Sequence, residues 1–141
     1  MGNIKAFLQP PVMDETRAII ISKRFVGEDG KPEPFVIRVI DQETNDRLLK
    51  QATKKYKQNG QMLQELDNAK YGKLLVNACV VEPNFKDSEL CAYYKTVDPL
   101  EVPGRMLTVG EYNRLVSAIK DLNEFELSDE EVGTLEETVK N

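Results

Sequence analysis

Histidine and tryptophan are absent from the 141-residue chain, and only two cysteines occur. Without an imidazole there is no Ser-His-Asp or Cys-His relay, no HExxH zinc helix and no histidine general base. A structural zinc site would need carboxylates beside Cys79 and Cys91, an uncommon donor set. Both cysteines fall in apolar segments read as helical, where a free thiol packs as a small hydrophobe and is expected to be reduced. No apolar run approaches the ~20 residues that cross a bilayer. The first twelve residues hold two adjacent prolines and no apolar h-region of a secretory signal. Met1-Gly2 opens like a myristoylation motif, but Ala6 stands where Ser or Thr is wanted. Phosphate loops are missing as well, since Gly27 and Gly30 fit neither GxxxxGK[ST] nor GxGxxG and lead into a strand. Asp29-Gly30 reads as a turn, because the other acidic positions of a calcium loop are unfilled. Together these absences point to a cytoplasmic binding protein rather than an enzyme, with no catalytic residues, no cofactor, no metal and no membrane partner.

The apolar share of 40% against 30% charged is the balance of a globular chain. At this length folding buries roughly 68% of the surface exposed by the unfolded chain, enough for one ordinary core. The net charge of −5 is unevenly spread. Residues 121–141 carry eight acids against one base, a net of −7, which leaves residues 1–120 at +2. The acidity therefore belongs to the C-terminal end, and the rest of the chain offers no strong basic surface for nucleic acid.

Periodicity divides the chain into an arm, a hairpin and a series of helices. Ile4, Phe7 and Leu8 give one helical turn that Pro10-Pro11 ends. Residues 17–25 and 35–40 read as strands, with Asp29-Gly30 and Pro32 as turn chemistry between them. From Asp41 the period becomes helical: Leu48, Leu49, Ala52 and Tyr56 lie on one side, and Lys50, Lys54 and Lys57 largely on the other. Asp41 or Thr44 caps this helix, and Gln58-Asn59-Gly60 stops it. Residues 62–66 read as a short strand or an extended loop. A second helix starts at Asp67 or Asn68 and carries Tyr71, Leu74, Leu75, Ala78 and Cys79, with Pro83 closing the segment. Asp87 or Ser88 caps a short helix reaching about Tyr94, and residues 96–106, with Pro99, Pro103 and Gly104, read as a loop over the core. Thr108 and Glu111 form a capping box ahead of a last firm helix with Tyr112, Leu115, Val116, Ile119 and Leu122 inward. A hairpin followed by helices favours an α+β fold over a doubly wound sheet. The expected organisation is a single α+β domain over residues 1–126, with an N-terminal antiparallel hairpin, about four helices and a short arm at 1–12. Residues 127–141 form an acidic tail, a marginal helix or disordered.

The Lys50, Lys54 and Lys57 face reads as solvated: it is one helix wide and lacks interleaved aromatics for base stacking. The acidic tail folding back on it is a second possibility, motivated by the charge split. Ile4, Phe7 and Leu8 on the arm, and the neighbours Tyr93 and Tyr94, are the candidate partner contacts. Adjacent helical residues cannot both face one core. Packing at the edge of the core is the plainer account of these five residues. The arm lying in a partner's groove, or a partner strand joining the hairpin edge, is the sharper one. Open strand edges permit dimers without requiring them, so the oligomeric state stays open.

The order and spacing of several motifs resemble the XkdN-like family of phage tail assembly chaperones. They are the opening Lys5-Ala6-Phe7-Leu8-Gln9-Pro10-Pro11, the strand Ile19-Ile20-Ile21-Ser22-Lys23-Arg24-Phe25, and its return Phe35-Val36-Ile37-Arg38. Glu65-Leu66-Asp67 before Tyr71, then Val81-Glu82-Pro83, Glu89-Leu90-Cys91, Asp98-Pro99, Pro103-Gly104 and Gly110-Glu111-Tyr112 continue the match. It spans almost the full length and fades after Phe125. The resemblance implies a non-catalytic protein of phage or prophage tail morphogenesis that holds the tape-measure protein soluble, helps tail-tube protein assemble around it, and then leaves. It supplies no catalytic residues and no defined contact set. A structural tail component retained in the particle, and a generic protein-binding adaptor, are the alternatives.

Overall fold

Residues 3–10 and 14–124 are described by the computed structural model; the acidic segment at 127–141 lies outside them. Strands β1 (Thr16–Ile19) and β2 (Phe35–Arg38) pair antiparallel from Thr16 opposite Arg38 to Ile19 opposite Phe35. The α+β expectation holds, with two small antiparallel sheets and five α-helices among the described residues. The first pairing is shorter than the runs at 17–25 and 35–40. Pro34, just before β2, has no N–H to give a ladder. Past β1 the chain turns inward, burying Ile21. A bridge between Val26 and Pro32 and the left-handed Gly30 (φ 76°) close the connection. Along β2 the period of two is clean, with Phe35 and Ile37 buried and Arg38 exposed.

Helix α1 (Gln42–Ala52) begins where the Asp41 carboxylate accepts the Thr44 N–H at 2.8 Å. It does not run on to residue 58. The Ala52 carbonyl, which an added turn would need, accepts instead from the Asp67 N–H at 2.8 Å. Between these two residues the chain makes a second hairpin, β3 (Thr53–Gln58) and β4 (Gln61–Leu66). Asn59 (φ 54°) and Gly60 (φ 79°) are both left-handed, the requirement of a two-residue type I′ turn. The basic helix face is therefore not formed: Lys50 stays on α1, while Lys54 and Lys57 lie on β3. Residues 62–66 are strand.

Helix α2 (Asn68–Cys79) is capped by Asp67, whose carboxylate accepts the Lys70 N–H, and leads directly into β5 (Val80–Glu82). Strand β5 pairs with the free side of β2, giving the order β1-β2-β5 with β2 central. Asp87 caps the short α3 (Ser88–Tyr93). Residues 96–106 are not a plain loop. They hold a 3-10 turn (Pro99–Glu101) and α4 (Val102–Met106), and bury Val102, Pro103 and Met106. Both prolines sit in first turns, where their missing N–H has no intrahelical partner to lose. Helix α5 (Val109–Leu122) starts with the expected capping box, Glu111 N–H to Thr108 Oγ1 at 3.3 Å and Thr108 N–H to Glu111 Oε1 at 2.8 Å.

The core lies between the β1-β2-β5 sheet and helices α2 and α5, with α1 packed on α2. Ile37, Val76, Cys79, Leu115 and Ile119 are fully enclosed in it, each large apolar side chain contributing roughly 1.5–3 kcal/mol on burial. Cys79 and Cys91 are both free and buried, as expected. Asn123 joins the end of α5 to the end of β2, its Oδ1 accepting the Ile40 N–H at 2.9 Å. No helix among the described residues is long and apolar enough to cross a membrane.

Candidate functional site

The buried polar centre of the fold is the carboxylate of Glu111. Arg24 Nε and Nη2 donate to its two oxygens at 2.9 and 2.8 Å, and the Thr108 N–H donates to the second of these. These bonds, that of Arg24 foremost, hold the carboxyl well below its usual range. The guanidinium, raised in turn by Glu111, also donates to the Met106 carbonyl and lies 4.2 Å from the Phe25 ring centroid. Phe25 meets Phe35 at 5.9 Å. The cluster thus fixes the β1–β2 connection to the start of α5. The carboxylate is spent on Arg24 and Thr108, which makes the cluster a clamp rather than a reactive group.

Beside that clamp, Phe25, Pro34, Phe35, Pro83 and Met106 line an apolar groove of about 310 Å³. On another side, Leu100, Leu107, Val109 and Tyr112 line one of about 270 Å³. At its rim Lys73 donates to Glu101 at 3.0 Å, which raises the lysine's pKa, and burial raises that of Tyr112. Among the described residues no group of three or more acidic or thiol side chains is placed to hold a metal ion.

The five candidate contacts divide. Ile4 and Phe7 stand on a single 3-10 turn (Ile4–Phe7), Leu8 caps its end, and all three are 70–74% exposed. The turn's hydrogen bonds close on itself, through Asn3 and Lys5. Tyr93 is 76% exposed, whereas Tyr94 packs against the core. Their rings meet edge-on at 4.9 Å, so Tyr94 buttresses a projecting Tyr93. Arg105 fixes this corner by donating to the Tyr94 and Lys95 carbonyls.

The β3–β4 hairpin is a surface that helical periodicity concealed. Directly opposed residues share a face and successive ones alternate. One face carries Lys54, Tyr56, Leu63 and Glu65, and the other Lys55, Lys57, Met62, Gln64 and Leu66. Tyr56, Met62 and Leu66 are exposed, and among the described residues neither strand has a neighbour beyond its partner. The Asn59-Gly60 pair was the available signal for it.

Comparison with known proteins agrees with this architecture. The family model described as phage XkdN-like tail assembly chaperone protein matches residues 4–140. The Bacillus subtilis (strain 168) protein YqbN is 40% identical over 124 residues, 86% of this chain and 80% of that protein. The phage-like element PBSX protein XkdN of the same organism is 36% identical over 124 residues, 86% of this chain and 81% of that protein. A crystal structure of YqbN superposes with a TM-score of 0.72 at 31% identity, covering 89% of this chain and 99% of that one. Fold, motif order and family model converge: the chain belongs to the phage XkdN-like tail assembly chaperones.

Proposed function

We propose that this protein is a non-catalytic chaperone, acting in the cytoplasm of the bacterial host, that binds the tape-measure protein and assists assembly of the tail-tube protein around it. Family membership carries the reading. The exposed arm supports it: Ile4, Phe7 and Leu8 offer apolar surface without a core role, and Tyr93 adds a second apolar corner. A long tail protein exposes apolar stripes until it is wrapped, and transient cover for them requires apolar capture surface on a charged body rather than chemistry.

Coexpression with the tape-measure protein tests the proposal. The expected result is a soluble tape-measure protein that copurifies with this chain. Unchanged solubility with no complex overturns it. Phe7→Ala with Leu8→Ala should weaken capture, and a stability change within about 0.5 kcal/mol marks the arm as contact rather than scaffold. Mass spectrometry of finished particles separates the chaperone from a retained component, since stoichiometric amounts of this chain there would contradict its departure.

A further inference from the structure

The Lys55, Lys57, Met62, Gln64 and Leu66 face of the hairpin combines two cations and two exposed apolar side chains with no carboxylate. Lys54, on the opposite face, is paired with Asp67 at 3.3 Å, whereas neither Lys55 nor Lys57 enters an ion pair among the described residues. Leu66 continues this face into a shallow cavity of about 480 Å³, lined also by Asn45, Leu49, Tyr71 and Lys120. Lys120 belongs to the last turn of α5, four positions before Glu124, the last described residue. Leu66 of the basic face and Lys120, near the exit of the described chain, therefore line the same cavity.

Residues 125–141 carry six acids against one base, together with Leu127, Val132, Leu135 and Val139. Extended, these 17 residues reach up to about 56 Å at roughly 3.3 Å each, against about 20 Å for a six-residue strand. Sign, apolar content, starting point and reach all match. We propose that segment 125–141 of the same chain lies on the Lys55, Lys57, Met62 and Leu66 face of the β3–β4 hairpin and covers it. A partner for that face must then displace the segment, and an acidic, apolar-bearing partner is the kind that fits. This inference stands independently of which tail protein is bound.

A nitroxide at Thr134→Cys in the full chain, read by amide NMR, tests the contact; Cys79 and Cys91 are buried and stay unlabelled. Amide signals of Lys55, Lys57, Met62 and Gln64 should lose about half or more of their intensity at ~0.01 M salt and regain it at ~1 M, as the screening length falls from about 30 Å to about 3 Å. The Lys55→Glu/Lys57→Glu variant should abolish the loss at low salt, and the salt titration of the otherwise unchanged chain gives a reading independent of that variant. No loss at low salt, or an equal loss in the variant, overturns the proposal. Loss in a nitroxide-free, isotope-labelled chain mixed with the nitroxide-bearing one identifies a second copy's segment as occupant and overturns the same-chain assignment.

Discussion

Arg24 and Glu111, 87 positions apart, meet in a two-pronged pair, Nε to Oε2 at 2.9 Å and Nη2 to Oε1 at 2.8 Å. The pair makes one carboxylate serve two purposes, since the same Glu111 completes the capping box of α5. Its folded pKa lies below the ordinary 4.5, so protons bind the unfolded chain first as the solution is acidified. The stabilisation is complete above about pH 5 and is lost as pH falls towards the folded value. Glu111→Gln keeps an oxygen for the Thr108 N–H but gives up the charge. Its melting temperature should therefore fall less than that of the parent between about pH 5 and about pH 3, with scanning calorimetry as the measurement. Part of the acid dependence persists, because Asp41 and Asp67 are also lowered, Asp41 foremost by its hydrogen bonds with Thr44 and Asp67 by the Lys70 N–H.

Cys79 should resist thiol reagents in the folded protein. Burial pushes its thiol up to about 12, and the attacking species is the thiolate. Mass analysis after alkylation at about pH 8 should show no addition to Cys79 in native protein and reaction at both cysteines in denaturant. The raised value also predicts a loss of stability as pH climbs beyond the ordinary 9.0, where the unfolded chain releases the proton and the folded one retains it.

Leu115→Ala and Ile37→Ala each remove a fully enclosed side chain where α5 meets β2. Each should cost about 2–5 kcal/mol in urea unfolding. The deficit should appear in the midpoint while the slope is retained.

Gly60→Ala should act locally. At φ 79° an L side chain costs on the order of 1–2 kcal/mol. Among the described residues the hairpin has no strand neighbour outside itself, so the penalty falls on its own opening rather than on the core. Amides of β3 and β4 should exchange about 5–30 times faster, with those of α5 unchanged.

Legibility in the sequence followed the range of the interactions. Thr108 and Glu111 announced the start of α5 because a capping box is decided within four residues. The alternation of Phe35, Ile37 and Arg38 likewise exposed β2. Tyr56 misled because it continues the three-and-four spacing of Leu48, Leu49 and Ala52; what ends the helix is Asp67, fifteen positions beyond Ala52, taking the Ala52 carbonyl. Asn59-Gly60 was read as a helix stop, yet the same two left-handed residues make a hairpin turn. Pro99 and Pro103 suggested a loop because proline breaks helix interiors, whereas both occupy first turns. The arm and the Tyr93-Tyr94 pair were both flagged by apolar groups without an obvious core role, but which of the two rings faces the core is decided by tertiary packing. Arg24 was not singled out, since nothing near it in sequence indicates Glu111.

The hydrogen bond from the Asp67 N–H to the Ala52 carbonyl has a use for engineering. It brings the entry and exit of the 53–66 excursion to a single point, so α1 and α2 are already joined without it. Foreign strand pairs of different length can be grafted between Ala52 and Asp67, since each doubling of an insert adds only about 0.6 kcal/mol of closure cost. The junction is a ready socket for replacing the hairpin while leaving the core sequence untouched.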